Sequence, residues 1–206
     1  MIISTIEQGS EDWLESRLGR PSASQFSKLI TAAGKPSSQA DGYINQLIAE
    51  RVSGERTPVF VSDWMLHGTE NEPFARSEFE FIFDIDVQQV GFCTDDSGEY
   101  GCSPDGLIDT TSGFATSGVE FKCPAPATQI GYQRDPMSGV RKYWQQLQGC
   151  MFVTGAKSWE FFSYHPTLAH VHVTVARDDD FITALAEQVK SAVEIIKIET
   201  EKRKCH

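Results

Sequence analysis

The sequence predicts a mixed α/β (α+β) fold, because helical and extended segments succeed one another along the chain. Four helical segments come first, a β-meander follows, and a helix, a two-stranded hairpin and a last helix complete the order. Of the 206 residues, 40% are hydrophobic and 11% aromatic, which supplies a substantial core and is too apolar for a disordered chain. We therefore expect residues 1–206 to form a single domain.

Capping and terminating residues mark the predicted helices in the first half of the chain. Ser10 is a favourable N-cap, and Gly19 is a favourable terminator for the helix that follows it. Pro73 is expected to begin a new helix or to kink a continuous one. The predicted helices cover residues 10–19, 22–34, 42–52 and 62–81.

Alternation of apolar and polar residues predicts two groups of strands in the second half of the chain. Residues 95–98 are typical of a turn, and the stretch that follows Pro124 and Pro126 is expected to be flexible as far as Gly139. The predicted strands cover residues 87–94, 99–103, 118–123, 158–165 and 169–176, and the predicted helices cover residues 140–153 and 181–204.

One stretch, residues 103–123, carries the chemistry around which the chain is organised. If residues 118–123 form a strand, side chains alternate between its faces, so Glu120 and Lys122 share one face. Asp105 begins the preceding strand and reaches that face if the two segments pair across the loop 110–117. Two carboxylates and an ammonium group then converge, which suits a Mg²⁺ ion beside a phosphate. Taken singly, Pro-Asp-Gly is also a common turn and Glu-x-Lys a common pair on a solvent-facing strand.

A second candidate site lies near the start of the second predicted helix. Arg17 is close in sequence to Ser22 and Ser24. A helix N-terminus, two hydroxyl groups and a guanidinium fork together suit a terminal phosphate. The alternative is that a serine only caps the helix and that Arg17 is only a surface charge.

Two more polar residues have both a functional and a structural interpretation. Asp95 lies near Asp105 if the strands form one antiparallel meander, but an acidic residue is also typical of a turn. Gln146 lies away from the buried side of its predicted helix. It is a candidate donor to a DNA backbone or to a reacting water, and the alternative is a solvated glutamine.

Charge and cysteine content limit the classes of function. The formal net charge of −11 excludes a DNA-coating protein but allows an enzyme with a local basic patch. Five cysteines, odd in number and without a Cys-x-x-Cys pair, argue against a disulfide framework and a zinc ribbon. His170 and His172 lack a cysteine or carboxylate in register, which disfavours a metal site there. The absence of a signal-like N-terminus and of long apolar runs predicts a cytoplasmic protein.

The order of elements and motifs resembles the PD-(D/E)xK nuclease fold, and within it the bacteriophage lambda exonuclease, or YqaJ-type viral recombinase, family. The matching pieces stand in the family's order between residues 13 and 148. They are WLESRLG (13–19), SAS (22–24), GTENE (68–72), AR (75–76), CSPDG (102–106), EFKCP (120–124) and QLQ (146–148). The resemblance implies a restriction-endonuclease-like core, with a central mixed β-sheet flanked by helices.

The resemblance also implies an activity and its partners. It implies a Mg²⁺-dependent 5′→3′ exonuclease, with Mn²⁺ as a substitute ion, that digests one strand of linear duplex DNA from 5′-phosphorylated ends. The products are 5′-mononucleotides and a 3′ overhang for a single-strand annealing protein in recombination. Family members form a toroidal homotrimer around DNA, which reconciles an acidic exterior with a locally basic channel.

The resemblance assigns expected roles to individual residues. Metal ligands are expected from two carboxylates and one main-chain carbonyl, those of Asp105, Glu120 and Phe121. Lys122 is expected to orient or activate the attacking water. Other active-site positions correspond to Glu72, Gln146 and Asp95, with Asp96 as the substitute for Asp95 if the turn alignment slips by one residue. Positions near the 5′-phosphate correspond to Arg17, Ser24 and Ser103.

Two alternatives stay open at this point. One is a nuclease of the same fold that carries an iron–sulfur cluster, although the cysteines are not clustered in sequence. The other is a non-catalytic module that binds DNA ends or proteins. Residues 35–62 carry few matches and the stretch 125–140 has few basic residues, so the sequence assigns no residues to the DNA path or to a wedge between the strands.

Overall fold

A mixed β-sheet lies at the centre of the chain in the computed structural model, which describes residues 1–58, 62–109 and 115–204. Within these residues the sheet has the strand order β3-β4-β5-β6. The pairs β3/β4 and β5/β6 are antiparallel, and β4/β5 is parallel. The strands are β3 (Gly106–Ile108), β4 (Ser117–Lys122), β5 (Ser158–His165) and β6 (Leu168–Ala176). A mixed sheet was the predicted centre of the fold.

The predicted meander before the central sheet is shorter than expected. Only β1 (Cys93–Thr94) and β2 (Gly101–Cys102) pair as a small antiparallel sheet. Gln88 instead exchanges main-chain hydrogen bonds with Leu107 on β3, and Gly91 donates to the carbonyl of Ser4. The segment predicted as one strand therefore changes partner along its length.

Helices surround the sheets, and most predicted helices are present. Ser10 caps the first helix as predicted, and its Oγ accepts from the Trp13 N–H at 3.2 Å. Gly54 ends the predicted third helix in the left-handed conformation, with φ +73°. The α-helices are α1 (Glu11–Ser16), α2 (Ala40–Ser53), α3 (Asp63–Phe83), α4 (Pro126–Arg134), α5 (Pro136–Lys142), α6 (Trp144–Thr154) and α7 (Asp179–Lys204).

The helix α3 continues through Pro73, which is one of the two outcomes predicted there, and its residues Ala75 and Phe79 pack in an apolar cluster with the sheet. Two other helical predictions need correction. The second helix is a six-residue 3₁₀ helix, Ala23–Lys28, instead of an α-helix that reaches Gly34. The helix predicted over residues 140–153 is divided at Tyr143 into α5 and α6.

The stretch after Pro124 is helical instead of flexible. Pro126 occupies the first turn of α4, where its missing N–H costs nothing. Gln129 on this helix is fully buried, and its Nε2 donates to the carbonyls of Ser163 and Ala169. A buried amide with two partners on the sheet edge fixes α4 in place, and this tertiary contact is not visible in the local sequence.

Both faces of the sheet are covered, which determines the surroundings of β4. On β5, Trp159 and Phe161 pack in a large cluster with α2, α6 and α7, whereas Phe162 packs with Phe79 of α3 on the other face. Val119 and Phe121 of β4 lie on the α3 face, as the predicted alternation requires. The opposite face, which carries the predicted acid and base, is therefore also beneath a helical layer. No helix in the described ranges is long and apolar enough to span a bilayer.

Candidate active site

The end of β4 brings an acid and a base into direct contact. The side chains of Glu120 and Lys122 form an ion pair, as their shared face predicts. Gln146 of α6 donates from Nε2 to the same carboxylate oxygen, Oε1, at 2.5 Å. Glu120 is 1% exposed, and its second oxygen, Oε2, is buried without a hydrogen-bond partner in the described structure. A buried carboxylate oxygen of this kind is a ready acceptor for a further donor or a cation.

Asp105 lies beside β4, directly before the first residue of β3. Pairing of β3 with β4 stops at Gly106 opposite Val119, and beyond that point Asp105 Oδ2 accepts from the Phe121 N–H at 2.7 Å. The N–H and C=O of one strand residue point to the same edge, so the Phe121 carbonyl also faces the Asp105 side. The Asp105 and Glu120 carboxylates and the Phe121 carbonyl are therefore all located at the same end of β4.

The helix α3 adds Glu72 to the same group. One turn further along, Arg76 donates from Nη2 to Glu72 Oε1 at 3.1 Å and to the Asp105 main-chain carbonyl at 3.1 Å. The continuous helix through Pro73 sets this spacing, since Glu72 and Arg76 are separated by four residues on one face. Neither the contact nor the role of Arg76 was predicted.

The electrostatics of the group are those of crowded acids, of which Glu120 is buried and Asp105 and Glu72 are partly buried. Burial raises the pKa of Asp105 well above its usual range, and the nearby Glu120 charge raises it further. Burial also raises the pKa of Glu72, against the lowering effect of Arg76. Burial alone would lower the pKa of Lys122, but the charges of Glu120 and Asp105 outweigh burial and raise it. The cluster therefore holds a protonated lysine among carboxylates that favour additional positive charge.

Two clefts open onto this cluster. One, of about 740 Å³, is lined by Lys122, Lys142 and Tyr143 together with the start of α3. The other, of about 710 Å³, is lined by the N-terminal segment and Trp13. Both clefts share the side chains of three residues, which are Thr69, Glu72 and Asp105. Glu72 and Asp105 therefore lie where the two clefts meet.

An aromatic ring supports the lysine of the cluster. The Lys122 ammonium lies 4.7 Å from the centroid of the Tyr143 ring, and the Lys142 ammonium lies 5.2 Å from the same centroid. Contact with a ring face stabilises a cation by about 0.5–2 kcal/mol. Tyr143 and Gln146 are one turn apart at the start of α6, so one helix end contacts both members of the Glu120–Lys122 pair.

The donor set suits a hard divalent cation. Asp105, Glu120 and the Phe121 carbonyl offer only oxygen, which Mg²⁺ prefers, and Mg²⁺ commonly keeps several waters as its remaining ligands. The unpartnered Glu120 Oε2 and the raised pKa of Asp105 are the features that a cation would satisfy. Across the described ranges, no three side chains of His, Cys, Asp or Glu are grouped as a metal site. The candidate site therefore depends on two carboxylates and one main-chain oxygen.

The predicted phosphate-binding residues are joined by a tryptophan. Arg17 Nη2 lies 3.5 Å from Ser24 Oγ, and the guanidinium carbon lies 4.3 Å from the centroid of the Trp13 ring. Trp13 Nε1 donates to Ser103 Oγ at 3.1 Å. The structure thus brings Arg17, Ser24 and Ser103 together, and burial lowers the pKa of Arg17. The contact of Trp13 with Arg17 was not predicted, although their spacing of four residues at a helix was a usable signal.

The helix-dipole part of the phosphate prediction is weakened. Ser22 precedes a six-residue 3₁₀ helix and makes no capping hydrogen bond through its side chain. Its hydroxyl instead lies 3.4 Å from the Ser24 hydroxyl. A macrodipole grows with aligned peptide units, so a short 3₁₀ segment contributes little. Hydroxyl groups and the guanidinium remain as the donors of this group.

Asp95 lies in the predicted turn, but its contacts in the described structure are with the turn itself and do not include Asp105. It lies at the turn that joins β1 to β2, where its carboxylate accepts from the Ser97 and Glu99 main-chain N–H groups at 3.1 Å each. These contacts lower its pKa, although burial acts in the opposite direction. Asp105 follows β2 at the other end of this hairpin, so pairing separates the two acids. The substitute, Asp96, is exposed and contacts the Met1 ammonium at 2.6 Å.

Other residues named in the sequence analysis have partners elsewhere in the structure. Gln148 Nε2 donates to the carbonyl of Ala176, which is a structural contact. His172 Nε2 lies 2.7 Å from Glu160 Oε2, so a carboxylate does share its surroundings, contrary to the expectation from register. Four cysteines are free thiols, and the fifth, Cys205, lies outside the described residues.

Comparison with known proteins gives matches over most of the chain. Residues 12–157 match the YqaJ-like viral recombinase domain. The alkaline exonuclease LHK-Exo from Laribacter hongkongensis has 28% identity and a TM-score of 0.82, over 95% of this chain and 98% of that chain. Its complex with dAMP has 29% identity and a TM-score of 0.81, with the same coverage. No curated protein sequence matches this chain.

A more distant structure shows the same fold. A phage-related exonuclease from Haemophilus somnus 129PT has 14% identity and a TM-score of 0.69, over 86% of this chain and 93% of that chain. The likeness to these exonucleases confirms the predicted PD-(D/E)xK-like core, with its mixed sheet flanked by helices.

Proposed function

This chain belongs to the YqaJ-like viral recombinase domain family, and on that premise we propose that it is a Mg²⁺-dependent 5′→3′ exonuclease of linear duplex DNA. It is a deoxyribonuclease of the exonuclease type. In this proposal residues 1–206 form one nuclease domain that removes one strand from 5′-phosphorylated ends. The enzyme releases 5′-mononucleotides and leaves a 3′ overhang.

The observation that carries the proposal is the hydrogen bond of 2.7 Å between Asp105 Oδ2 and the Phe121 N–H. This bond holds one carboxylate at the open edge of β4, beside the contact between Glu120 and Lys122. A preformed group of this kind supports hydrolysis of a phosphodiester, because the charges need little rearrangement at the moment of reaction.

The residues of the cluster then have separate tasks. Asp105, Glu120 and the Phe121 carbonyl would hold Mg²⁺. The ion would supply a more acidic bound water and neutralise charge on the phosphate. Lys122 orients the attacking water through its ammonium group, and Gln146 fixes Glu120 through Oε1. Glu72 provides a further carboxylate at the cleft, where it is able to accept a hydrogen bond from water.

Polarity follows from recognition of the 5′ end instead of base sequence. In the proposal Arg17, Ser24 and Ser103 bind the terminal 5′-phosphate, at a guanidinium and two hydroxyl groups. Ser103 is two residues before Asp105, so the phosphate group lies close in sequence to the acid that takes part in hydrolysis. A fixed distance between the bound 5′-phosphate and the acid cluster would place the cut one nucleotide from the end.

The remaining parts of the proposal concern assembly. We propose a homotrimeric ring around DNA and a single-strand annealing protein as partner for the 3′ overhang. The net charge of −11 requires that basic residues gather locally along the DNA path, since phosphates repel the rest of the surface.

Digestion of end-labelled DNA tests metal dependence, polarity and end recognition together. Linear duplexes with a 5′-phosphate or a 5′-hydroxyl, a nicked duplex and closed circular DNA are incubated in Mg²⁺, Mn²⁺ and EDTA. We expect mononucleotides from 5′-phosphorylated linear ends in either metal, and no digestion in EDTA. Cutting of closed circular DNA at a similar rate would contradict an exonuclease, and release from the 3′ end would contradict the polarity.

A further inference from the structure

A partly buried arginine on α3 links three segments of the candidate active site. The Arg76 side chain is 12% exposed, and its Nη2 donates to Glu72 Oε1 and to the Asp105 carbonyl, each at 3.1 Å. With its amide oxygen turned toward the guanidinium, Gln89 accepts from Nη1 at 2.5 Å and from Nη2 at 3.1 Å. The guanidinium carbon also lies 5.9 Å from the centroid of the Phe121 ring.

These contacts join residues that are distant in sequence but meet at one strand end. Asp105 is bonded through its side chain to the Phe121 N–H and through its main-chain carbonyl to Arg76. Arg76 in turn occupies one oxygen of Glu72, which lines both clefts. Arg76 therefore contacts both the Glu72 side chain on α3 and the Asp105 main chain just before β3.

The shape of the guanidinium explains why arginine occupies this position. Its planar fork offers several donors in fixed directions, whereas a lysine ammonium is a compact charge on a flexible stem. A lysine at position 76 would keep the positive charge but would not reach Glu72, Asp105 and Gln89 in one geometry. Contact with three acceptors also offsets the cost of burying the charge.

A second arginine–glutamate pair in the chain shows what is special about Arg76. Arg203 and Glu199 have the same spacing of four residues, with a contact to Glu199 Oε2 and one of 2.8 Å to the Glu199 carbonyl. The Arg203 side chain is 52% exposed, and both contacts stay within α7. Arg76 differs because it also contacts residues outside its own helix, namely the Asp105 carbonyl and the Gln89 amide oxygen.

We propose that Arg76 is a positioning residue that fixes Glu72 and the main chain of Asp105 relative to each other, and so prepares the site for a divalent cation. This inference rests on the proposed function of the same site. It predicts that removal of the Arg76 guanidinium weakens the binding of the cation even in the absence of DNA.

Calorimetric titration with Mg²⁺ alone, without DNA, tests the inference on full-length Arg76→Met and Arg76→Lys variants. Mutation of a residue that does not bind the metal but orients its ligands typically lowers metal affinity or activity by about 10–100-fold. We expect Mg²⁺ binding weaker by about that factor in both variants, because neither keeps the fork. On 5′-phosphorylated duplex, kcat should fall to a similar extent, with KM for DNA ends unchanged.

Matched variants separate this effect from general damage to the fold. Arg203→Met removes an arginine with the same helical spacing, and it should leave Mg²⁺ binding and kcat at the wild-type values. Thermal unfolding identifies any variant that does not fold. If Arg76→Met does not fold, Gln89→Leu removes one acceptor of the fork at an exposed residue and should weaken Mg²⁺ binding by a smaller factor.

The outcomes distinguish this inference from the proposed function. If Asp105→Asn keeps both Mg²⁺ binding and activity, the proposed function is wrong. If Asp105→Asn loses both, but folded Arg76→Met keeps wild-type Mg²⁺ affinity and kcat, only the role of Arg76 is wrong. Full recovery of both quantities in Arg76→Lys would also overturn the proposal, since charge alone would then suffice. Wild-type Mg²⁺ binding in Gln89→Leu would overturn it if neither Arg76 variant folds.

Discussion

The acid cluster and the arginine–serine group are built in different ways, although both come from the ends of short elements. The acid cluster has buried partners and close contacts, such as the 2.7 Å bond of Asp105 to the Phe121 N–H and the 2.5 Å bond of Gln146 to Glu120. In the arginine–serine group, the Arg17 to Ser24 distance is 3.5 Å, and Ser24 is exposed.

The difference indicates how much of each site exists before DNA binds. The 2.7 Å bond of Asp105 has the length of a strong hydrogen bond to a charged group, so the acid cluster is prepared in advance. A guanidinium at 3.5 Å from a hydroxyl has a weak hydrogen bond and keeps its capacity for a better acceptor. A phosphate would supply that acceptor. The acid cluster therefore suits the chemical step, and the arginine–serine group suits recognition of an end.

The largest predicted effect comes from the acid cluster. Asp105→Asn keeps the side-chain shape but removes a charge that the proposed ion needs, and the loss of several kcal/mol corresponds to about 10³-fold in kcat. Because this change acts on hydrolysis itself, 5′-phosphate and 5′-hydroxyl ends should lose activity equally. Single-turnover digestion of both labelled duplexes measures the effect. A loss of activity confined to 5′-phosphorylated ends would mean that the acid cluster takes part in end recognition, and the proposed division of roles from the arginine–serine group would be wrong.

A smaller and selective effect is expected from the arginine–serine group. Arg17→Met removes the guanidinium, and hydrogen bonds to charged groups contribute about 1.5–3 kcal/mol, or about 10–100-fold. We expect kcat/KM to fall by that factor for 5′-phosphorylated ends and to be unchanged for 5′-hydroxyl ends. Arg20→Met provides a nearby control, since its guanidinium donates to the Ser16 carbonyl. Equal losses on both ends would assign Arg17 a structural role.

The acid cluster shows which contacts the sequence could predict and which it could not. The period of two in a strand was sufficient to place Glu120 and Lys122 side by side, and the structure confirms their contact. The contacts of Arg76 and Tyr143 were not predicted, because they join α3 and the start of α6 to Asp105 and Lys122, which are distant in sequence. Tertiary contacts of this kind have no local signature.

The errors in the predicted fold have a similar origin. Asp95 was expected near Asp105, but this depended on the length of strands that the structure shortens to β1 and β2. The helix α4 was missed because Pro124 and Pro126 were interpreted as breakers, whereas a proline fits the first turn of a helix. Local signals identified most elements, and long-range packing decided where several of them end.

The acid cluster should also make the stability of the chain depend on Mg²⁺ and pH together. The raised pKa values of Asp105 and Glu72 mean that the folded state binds protons more readily than the unfolded state. Without metal, these groups therefore cost stability as the pH rises from the usual pKa range of the unfolded carboxyl groups through their higher folded values. Mg²⁺ binds the deprotonated forms, so its stabilising effect should grow as the pH rises.

Thermal unfolding in Mg²⁺ and in EDTA over a pH series measures this coupling. At ten times its dissociation constant, Mg²⁺ stabilises a one-site protein by about 1.4 kcal/mol, or about 3–6 °C in Tm for a domain of this size. The shift should be smaller at low pH, and it should largely disappear in Asp105→Asn. Arg17→Met should keep the full shift. A shift that is independent of pH would contradict proton–metal competition at these acids.

The smallest predicted effect concerns Trp13, which contacts two members of the arginine–serine group. Trp13→Phe keeps a ring beneath Arg17 but removes the N–H that donates to Ser103 at 3.1 Å. A neutral hydrogen bond contributes about 1 kcal/mol, so the preference for 5′-phosphorylated over 5′-hydroxyl ends should fall by about fivefold. Trp13→Leu also removes the ring face, and a cation–π contact at a partly exposed site adds about 0.5–1 kcal/mol. We therefore expect Trp13→Leu to lose more preference than Trp13→Phe, measured as the ratio of kcat/KM on the two ends. Equal values for the two variants would show that Trp13 acts only through Ser103, and that the ring does not hold Arg17 in place.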